Sequence, residues 1–172
     1  MKRVMVIGCP GSGKSTFSRA LAARTGLPLF YLDRLYWKAD KTTVGRQVLV
    51  QRLEQILKGE AWILDGHYAA TLEMRLRACD TVIFLDYPVE LCLQGLRERL
   101  GRPRPDMPWV ETEPDEELLA KVRAFAQESR PGVLELLERY KEKKLIRFSG
   151  REEADAFLAR WENQERVEYE YL

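Results

Sequence analysis

A chain of 172 residues, 45% hydrophobic and 32% charged, has the length of one domain and the make-up of a water-soluble globular protein. Its net charge of +1 excludes a broad basic field for nucleic acid or an anionic membrane surface, and no apolar run nears the ~20 residues of a membrane span. Cys9, Cys79 and Cys92 are widely spaced without a C-x-x-C, and the opening strand carries no signal-peptide pattern, so a disulfide or zinc framework is excluded and a reduced, cytoplasmic protein is expected.

The elements follow in order. Val4 to Ile7 form a short apolar run suited to a buried parallel strand. Gly8-Cys9-Pro10-Gly11-Ser12-Gly13-Lys14-Ser15 then reads G-x-x-x-x-G-K-S, and a helical pattern runs from Lys14 to Arg24. Glycines permit the tight turn that points consecutive N–H groups at phosphate oxygens, and the helix N-terminus adds positive potential. Gly8, Gly11, Ser12, Gly13, Lys14, Ser15 and Thr16 are therefore candidate nucleotide contacts, with Lys14 reaching the β- and γ-phosphates and the Ser15 hydroxyl binding Mg²⁺. Cys9 either is reactive beside the loop N–H groups or fills a variable position of the motif.

Gly26 and Pro28 mark a turn, and Leu29 to Leu32 predict a second strand ending at Asp33, a position where open α/β sheets place ligand residues. Tyr36 and Trp37 fall in a polar loop reaching about Thr43. Val44, Val48, Leu49, Leu53, Ile56 and Leu57 recur at helical spacing, closed by Gly59. Ala61 to Leu64 predict a third strand before Asp65-Gly66, and Thr71 is expected to cap a short helix to Ala78. Thr81 to Leu85 predict a fourth strand, followed by Asp86, and Pro88 opens a helix.

From Arg97 to Glu113 the apolar pattern vanishes among arginines, prolines and Gly101, which reads as a mobile surface segment that is not core. Leu118, Leu119, Val122 and Phe125 resume a helix, and Arg130-Pro131-Gly132 breaks it from the next. Leu145 to Phe148 predict a fifth strand, and Ser149-Gly150-Arg151-Glu152 fits a capping box before a last helix. The alternation in Val167 to Leu172 suits an added edge strand or a disordered end. Alternating strands and helices imply an α/β fold, a parallel sheet with helices on both faces.

The loop at the start, an acid after the second strand, Asp-Gly after the third and an arginine-bearing segment after the fourth resemble the adenylate kinase-like P-loop kinases, which include shikimate and gluconate kinases. Tyr31-Leu32-Asp33, Trp62 to Tyr68 and Arg102 to Met107 further resemble the bacterial DNA topology modulation proteins of FlaR type. The resemblance implies a P-loop NTPase fold with a five-stranded parallel sheet, one domain over 1–162, a lid at about 97–113 and a tail over 163–172.

The resemblance also implies a nucleoside triphosphate (ATP), Mg²⁺ and a small-molecule acceptor such as a nucleoside or nucleotide. Asp65 would orient the metal through water, and Asp33 would take the proton of a substrate hydroxyl or serve as a turn residue beside Arg34. Arg97, Arg99, Arg102 and Arg104 would cover the triphosphate, with Arg123 and Arg130 from the far side of the lid. Gly150 and Arg151 resemble the loop that touches the nucleotide base. Tyr36, Trp37 and Tyr68 would stack on an acceptor ring, and His67 would face the acceptor or act as a structural hydrogen-bonder. His67-Tyr68 replaces the Phe-Pro-Arg of adenylate kinases, and this with Asp33 leans toward a hydroxyl acceptor, whereas Arg34 leans toward a phosphate. The runner-up is a nucleotide-binding regulator with weak ATPase activity; direct DNA binding is disfavoured by the lack of a basic stripe.

Overall fold

A computed structural model describes the backbone of residues 1–170 and the side chains of residues 1–161. Strand β1 (Arg3–Gly8) sits at the centre because its residues from Val4 onward are apolar and buried on both sides. It pairs in parallel with β3 (Trp62–Asp65) on one side and with β4 (Thr81–Leu85) on the other. β2 (Leu29–Tyr31) and β5 (Lys144–Phe148) complete a five-stranded parallel sheet in the order β2-β3-β1-β4-β5. This is the expected α/β class.

The two-residue period of a strand divides β1 between two cores. Val4 and Val6 face a layer holding Phe17 and Leu21 of α1 (Lys14–Thr25), Cys92 and Leu96 of α5 (Val89–Glu98), Val122 and Phe125 of α6 (Glu116–Glu128) and Leu158 of α8 (Arg151–Glu170). Met5 and Ile7 face Leu49 and Leu53 of α3 (Arg46–Leu57), Leu72 and Leu76 of α4 (Ala69–Ala78) and Val133 and Leu137 of α7 (Arg130–Arg139). Among the described residues no helix is long and apolar enough to cross a membrane.

Several local expectations shift. β2 stops at Tyr31, and Leu32 starts a five-residue helix α2 (Leu32–Tyr36) that carries Asp33 in its first turn. Thr71 is the third residue of α4, not its cap; Tyr68 precedes that helix with φ of 27°. Arg130-Pro131-Gly132 forms the first turn of α7, because proline suits that turn, and the break falls at Ser129. Glu153, one position beyond the expected Glu152, reaches back to accept from the Ser149 N–H at 2.8 Å. The segment after α5 is not wholly surface: Asp106 and Met107 are buried. The backbone of α8 runs to Glu170, and residues 171–172 of the expected tail lie outside the described residues.

One close approach fixes the glycine loop against α5. A Cβ on Gly95 would lie 2.0 Å from the Gly11 carbonyl oxygen, and a Cβ on Gly11, whose φ is +82°, would lie 2.1 Å from the Cys92 carbonyl oxygen. Backbone must move to admit either side chain. Gly95→Ala should therefore destabilise the fold by about 1–3 kcal/mol although alanine is the better helix former. A urea titration checks this; a midpoint at or above that of the parent chain would contradict it.

Candidate active site

The loop after β1 wraps around a carbonyl. The Cys9 carbonyl oxygen accepts from the Ser12 N–H and from Lys14 Nζ, both at 3.1 Å. Gly13, with φ of +90°, occupies the N-cap position of α1, and no acid stands in that helix's first turn. The end of α1 thus keeps its N–H groups and positive potential facing outward, an anion seat. Ser15, one residue into the helix, donates its hydroxyl to Asp65 Oδ2 at 2.5 Å, joining α1 to the end of β3.

Asp65 is buried, and burial pushes its carboxyl up to about 6 even though Lys14 and the Ser15 bond pull the other way. Its second oxygen has no hydrogen-bond partner. A spare buried carboxylate oxygen next to a serine hydroxyl fits a hydrated divalent cation such as Mg²⁺, which takes one or two protein oxygens and shares the rest with water and phosphate. Among the described residues no cluster of three or more His, Cys, Asp or Glu side chains is arranged to hold a metal by itself.

Asp33 enters from the first turn of α2. Burial raises its carboxyl pKa, Lys14 opposes, Asp106 adds to the rise, and Arg104 and Arg99 oppose it. Those influences place Lys14, Asp33, Asp65, Asp106, Arg99 and Arg104 in one electrostatic neighbourhood. Ser12 Oγ, Asp65 Oδ1, Asp106 Oδ1 and both ring nitrogens of His67 are shut off from water without a hydrogen-bond partner. Buried polar groups are ordinarily paired, so these atoms make the end of β3 and the glycine loop a candidate seat for a polar ligand. His67 lies edge-on to Phe125, with ring centroids 5.1 Å apart, and burial with the charges of Lys14 and Arg75 depresses it to about 3, so its imidazole is neutral. Tyr36 meets Tyr68 at 5.0 Å and Trp37 at 5.5 Å between ring centroids, and Trp37 meets Trp109 of the lid at 5.6 Å.

The arginines divide into groups. Arg99 reaches Glu111 at 3.0 Å, while Arg104 reaches Asp106 at 3.1 Å and Glu111 at 3.6 Å. Asp106 also lies 3.8 Å from Arg19 of α1, whose other guanidinium nitrogen bonds the Thr16 hydroxyl at 3.3 Å. Arg34 donates to the Pro105 carbonyl at 2.7 Å, pinning the lid to α2. Arg130 makes two 2.9 Å bonds to Asp86, which Arg147 also engages. Arg97 and Arg123 border a cleft of about 210 Å³ between α5 and α6, floored by Leu93, Leu96 and Leu119, which Arg99 and Glu111 also line. Arg102 is exposed. Arg151, beside Gly150, pairs with Glu98 at 3.2 Å. A second cleft of about 290 Å³ opens where β4 and β5 end, lined by Cys9, Asp86, Tyr87, Phe125, Arg130 and Ser149.

Arg75 is the residue that sequence reasoning missed most clearly. It is fully buried and donates to the carbonyls of Gly66 at 2.8 Å, His67 at 2.5 Å and Tyr68 at 3.0 Å, and to Thr71. Burial lowers its pKa to about 9, with Asp65 opposing. It clamps the turn after β3 by its carbonyls. The available signal was its place between Leu72 and Leu76 on the apolar stripe of α4. Asp106, Glu111 and Trp109 were also missed, because a segment without apolar periodicity offers no cue to which side chains turn inward.

The raised pKa of Asp65 sets a pH test. A carboxyl at about 6 when folded and 3.8 in its ordinary state keeps its extra proton between those values only in the native chain. Native stability therefore falls as pH rises through that window, by about 3 kcal/mol in all. Asp65→Asn should melt above the parent chain at pH 7.5, and the gap should close near pH 4. Parallel melting curves at both pH values would contradict this.

A family model described as an AAA domain matches residues 4–118. The adenylate kinases of Mycobacterium ulcerans (strain Agy99) and Mycobacterium marinum (strain ATCC BAA-535 / M) are each 29% identical over 164 residues, covering 80% of this chain and 85% of theirs. Shikimate kinase from Bacteroides thetaiotaomicron superposes with a TM-score of 0.57 at 19% identity, covering 97% of this chain and 98% of that one. Shikimate kinase from Acinetobacter baumannii, solved in complex with shikimate, superposes at 0.61 and 20% identity, covering 98% and 94%. The two structures share the fold of this chain. Since the family model spans well over half of the residues, from β1 through the glycine loop and the lid to the start of α6, the chain belongs to the AAA-domain family of P-loop proteins.

Proposed function

We propose that this protein is a kinase that transfers the γ-phosphoryl group of ATP to a small-molecule acceptor. The observation that carries the reading is the set of buried polar atoms without a hydrogen-bond partner at the glycine loop and the end of β3, namely Ser12 Oγ, Asp65 Oδ1 and the His67 nitrogens, with the charge of Lys14 acting on Asp65 and His67. A polyphosphate with its metal would supply the partners these groups lack. Relatives named adenylate kinase support the same reading.

The loop N–H groups and Lys14 would hold the β- and γ-phosphates, and Ser15 with Asp65 would hold Mg²⁺. When bound, Mg²⁺ supplies neutralising charge to the phosphate oxygens. Arg99 and Arg104, the lid arginines near Asp33, would turn from Glu111 and Asp106 to the transferring group. Asp33 would accept the acceptor's proton. Its raised pKa suits that role, since a base is most effective when its pKa approaches the working pH.

Arg34, the competing reason to expect a phosphate acceptor, has its Nε committed to the Pro105 carbonyl. We therefore favour a hydroxyl acceptor, and the aromatic set of Tyr36, Trp37, Tyr68 and Trp109 favours one that carries a planar ring, such as a nucleoside. The second reading is a nucleotide-binding regulator with weak ATPase activity, in keeping with the FlaR-type resemblance. It draws support from the lid's own acids, which already hold Arg99 and Arg104.

ADP release, measured across nucleosides, nucleoside monophosphates and sugars, separates the two. A kinase releases ADP in step with a hydroxyl acceptor, and Asp33→Asn should lower its kcat by about 10²-fold while Arg34→Ala changes kcat far less. ADP release at one slow rate whatever is added would favour the regulator. Near-full kcat in Asp33→Asn with a sharply raised KM in Arg34→Ala would make the acceptor a phosphate.

A further inference from the structure

Arg19 of α1 has no role in the transfer proposed above. It stands four positions after Ser15 and three after Thr16, so the three side chains share a side of α1. Helical side chains lean toward the N-terminus, which here carries the glycine loop. One guanidinium nitrogen of Arg19, Nη2, donates to the Thr16 hydroxyl at 3.3 Å. The other, Nη1, is shut off from water and has no hydrogen-bond partner. Asp106 Oδ1 lies 3.8 Å from it, equally buried and equally without a hydrogen bond. The second oxygen of Asp106 accepts from Arg104 Nη1 at 3.1 Å. A lid carboxylate only 3% exposed thus sits between an arginine of α1 and an arginine of the lid, bonded to one and short of the other.

We propose that Arg19 and Arg104 are the two walls of an oxyanion seat that Asp106 fills as an internal stand-in, and that a phosphate group of the bound nucleotide displaces Asp106 from it.

The seat is wider than its occupant. A carboxylate is planar and offers two oxygens; one reaches Arg104, and the other stops at 3.8 Å from Arg19, beyond the ~3.2 Å reach of an N–H···O bond. A phosphate group presents three strong acceptor oxygens on a tetrahedral centre and carries more charge, so it can bond both guanidinium groups at once. Arg19 Nη1 then gains the partner it lacks, and Asp106 Oδ1 gains water. The location suits a ligand phosphate, because Thr16, which holds Arg19, directly follows Ser15, and the charge of Asp106 acts on both Asp33 and Asp65.

Asp106 is also free to leave without undocking the lid. Pro105 is tied to Arg34 through its carbonyl at 2.7 Å, and Trp109 meets Trp37 at 5.6 Å between ring centroids. Arg104 keeps Glu111 at 3.6 Å when Asp106 departs. Asp106 is therefore a competitor of the ligand, and Arg19 is a ligand-binding residue. That the phosphate belongs to ATP rests on the function proposed above; the seat itself does not.

The test titrates ATP with Mg²⁺ into the parent chain, Asp106→Asn, Arg19→Gln and the double variant, each shown by circular dichroism to be folded. Asparagine keeps the shape of Asp106 and removes its charge, so Asp106→Asn should bind ATP at least about tenfold more tightly. Arg19→Gln should bind it at least about tenfold more weakly. With Arg19 already replaced, the gain from Asp106→Asn should fall to about threefold or less, since the two residues act on one seat. An undiminished gain there would mean general relief of charge repulsion and would overturn the seat. So would an unchanged or weaker affinity in Asp106→Asn, or an unchanged one in Arg19→Gln. If Asp106→Asn does not fold, Arg19→Gln, whose side chain is 36% exposed, decides alone. Inorganic pyrophosphate separates the seat from the nucleotide. A parent chain that binds pyrophosphate but not ATP refutes the proposed function, and the same comparison of variants with pyrophosphate then decides the seat. A parent chain that binds neither refutes both.

Discussion

The hydrogen bond from the Ser15 hydroxyl to Asp65 is the contact on which the site depends. It joins the first turn of α1 to the end of β3, strands' ends that the sheet order brings side by side. Asp65 cannot sit there cheaply. It is a carboxylate in a buried place, tolerated because Ser15 donates to it and Lys14 stands near. Removing water from such a group strengthens every charge interaction around it. The same burial that destabilises the fold therefore prepares the site for charge, and sites of this kind are where stability is commonly given up for function.

Around that contact the protein balances charge at each level. Asp33, Asp65 and Asp106 share a neighbourhood with Lys14, Arg99 and Arg104. The lid supplies Asp106 and Glu111 as well as the arginines they hold. A lid whose cations are already paired folds without leaving buried guanidinium groups alone, which would be strongly destabilising. Arg75 extends the logic to the backbone: one buried cation occupies the carbonyls of Gly66, His67 and Tyr68, so the turn beneath the site is fixed by a side chain and not by an ordinary helix cap.

Much of this was legible in the residues because the cues were dense. β4 falls at Thr81–Leu85 as expected, since five consecutive buried residues between Asp80 and Asp86 admit little else. The glycine loop was legible for a different reason: the fold of a phosphate cradle demands particular residues at fixed spacing. Asp33 was found but misplaced, because three residues of β2 give too short a run to separate a strand end from a helix start. The inward turn of Asp106 and Met107 was not legible at all. Their burial comes from the lid packing on α1 and α2, through Arg19 and Arg34, and such long-range pairing leaves no periodic trace. Arg75 was hidden by composition, since a lone arginine in a helix ordinarily reads as a solvated charge.

The groups around Lys14 are proposed to form a nucleotide site. Isothermal titration of ATP with Mg²⁺ into the parent chain and into Lys14→Ala tests it most directly, with circular dichroism to show that both are folded. Lys14 Nζ hydrogen-bonds the Cys9 carbonyl and its charge eases the burial of Asp33 and Asp65, so the two proteins are compared at a temperature where circular dichroism shows each of them folded. Binding to the parent chain should be saturable, and the affinity of Lys14→Ala should be at least about tenfold weaker, equivalent to about 1.4 kcal/mol. Equal affinity in the two proteins, or no binding to the parent chain, would contradict it.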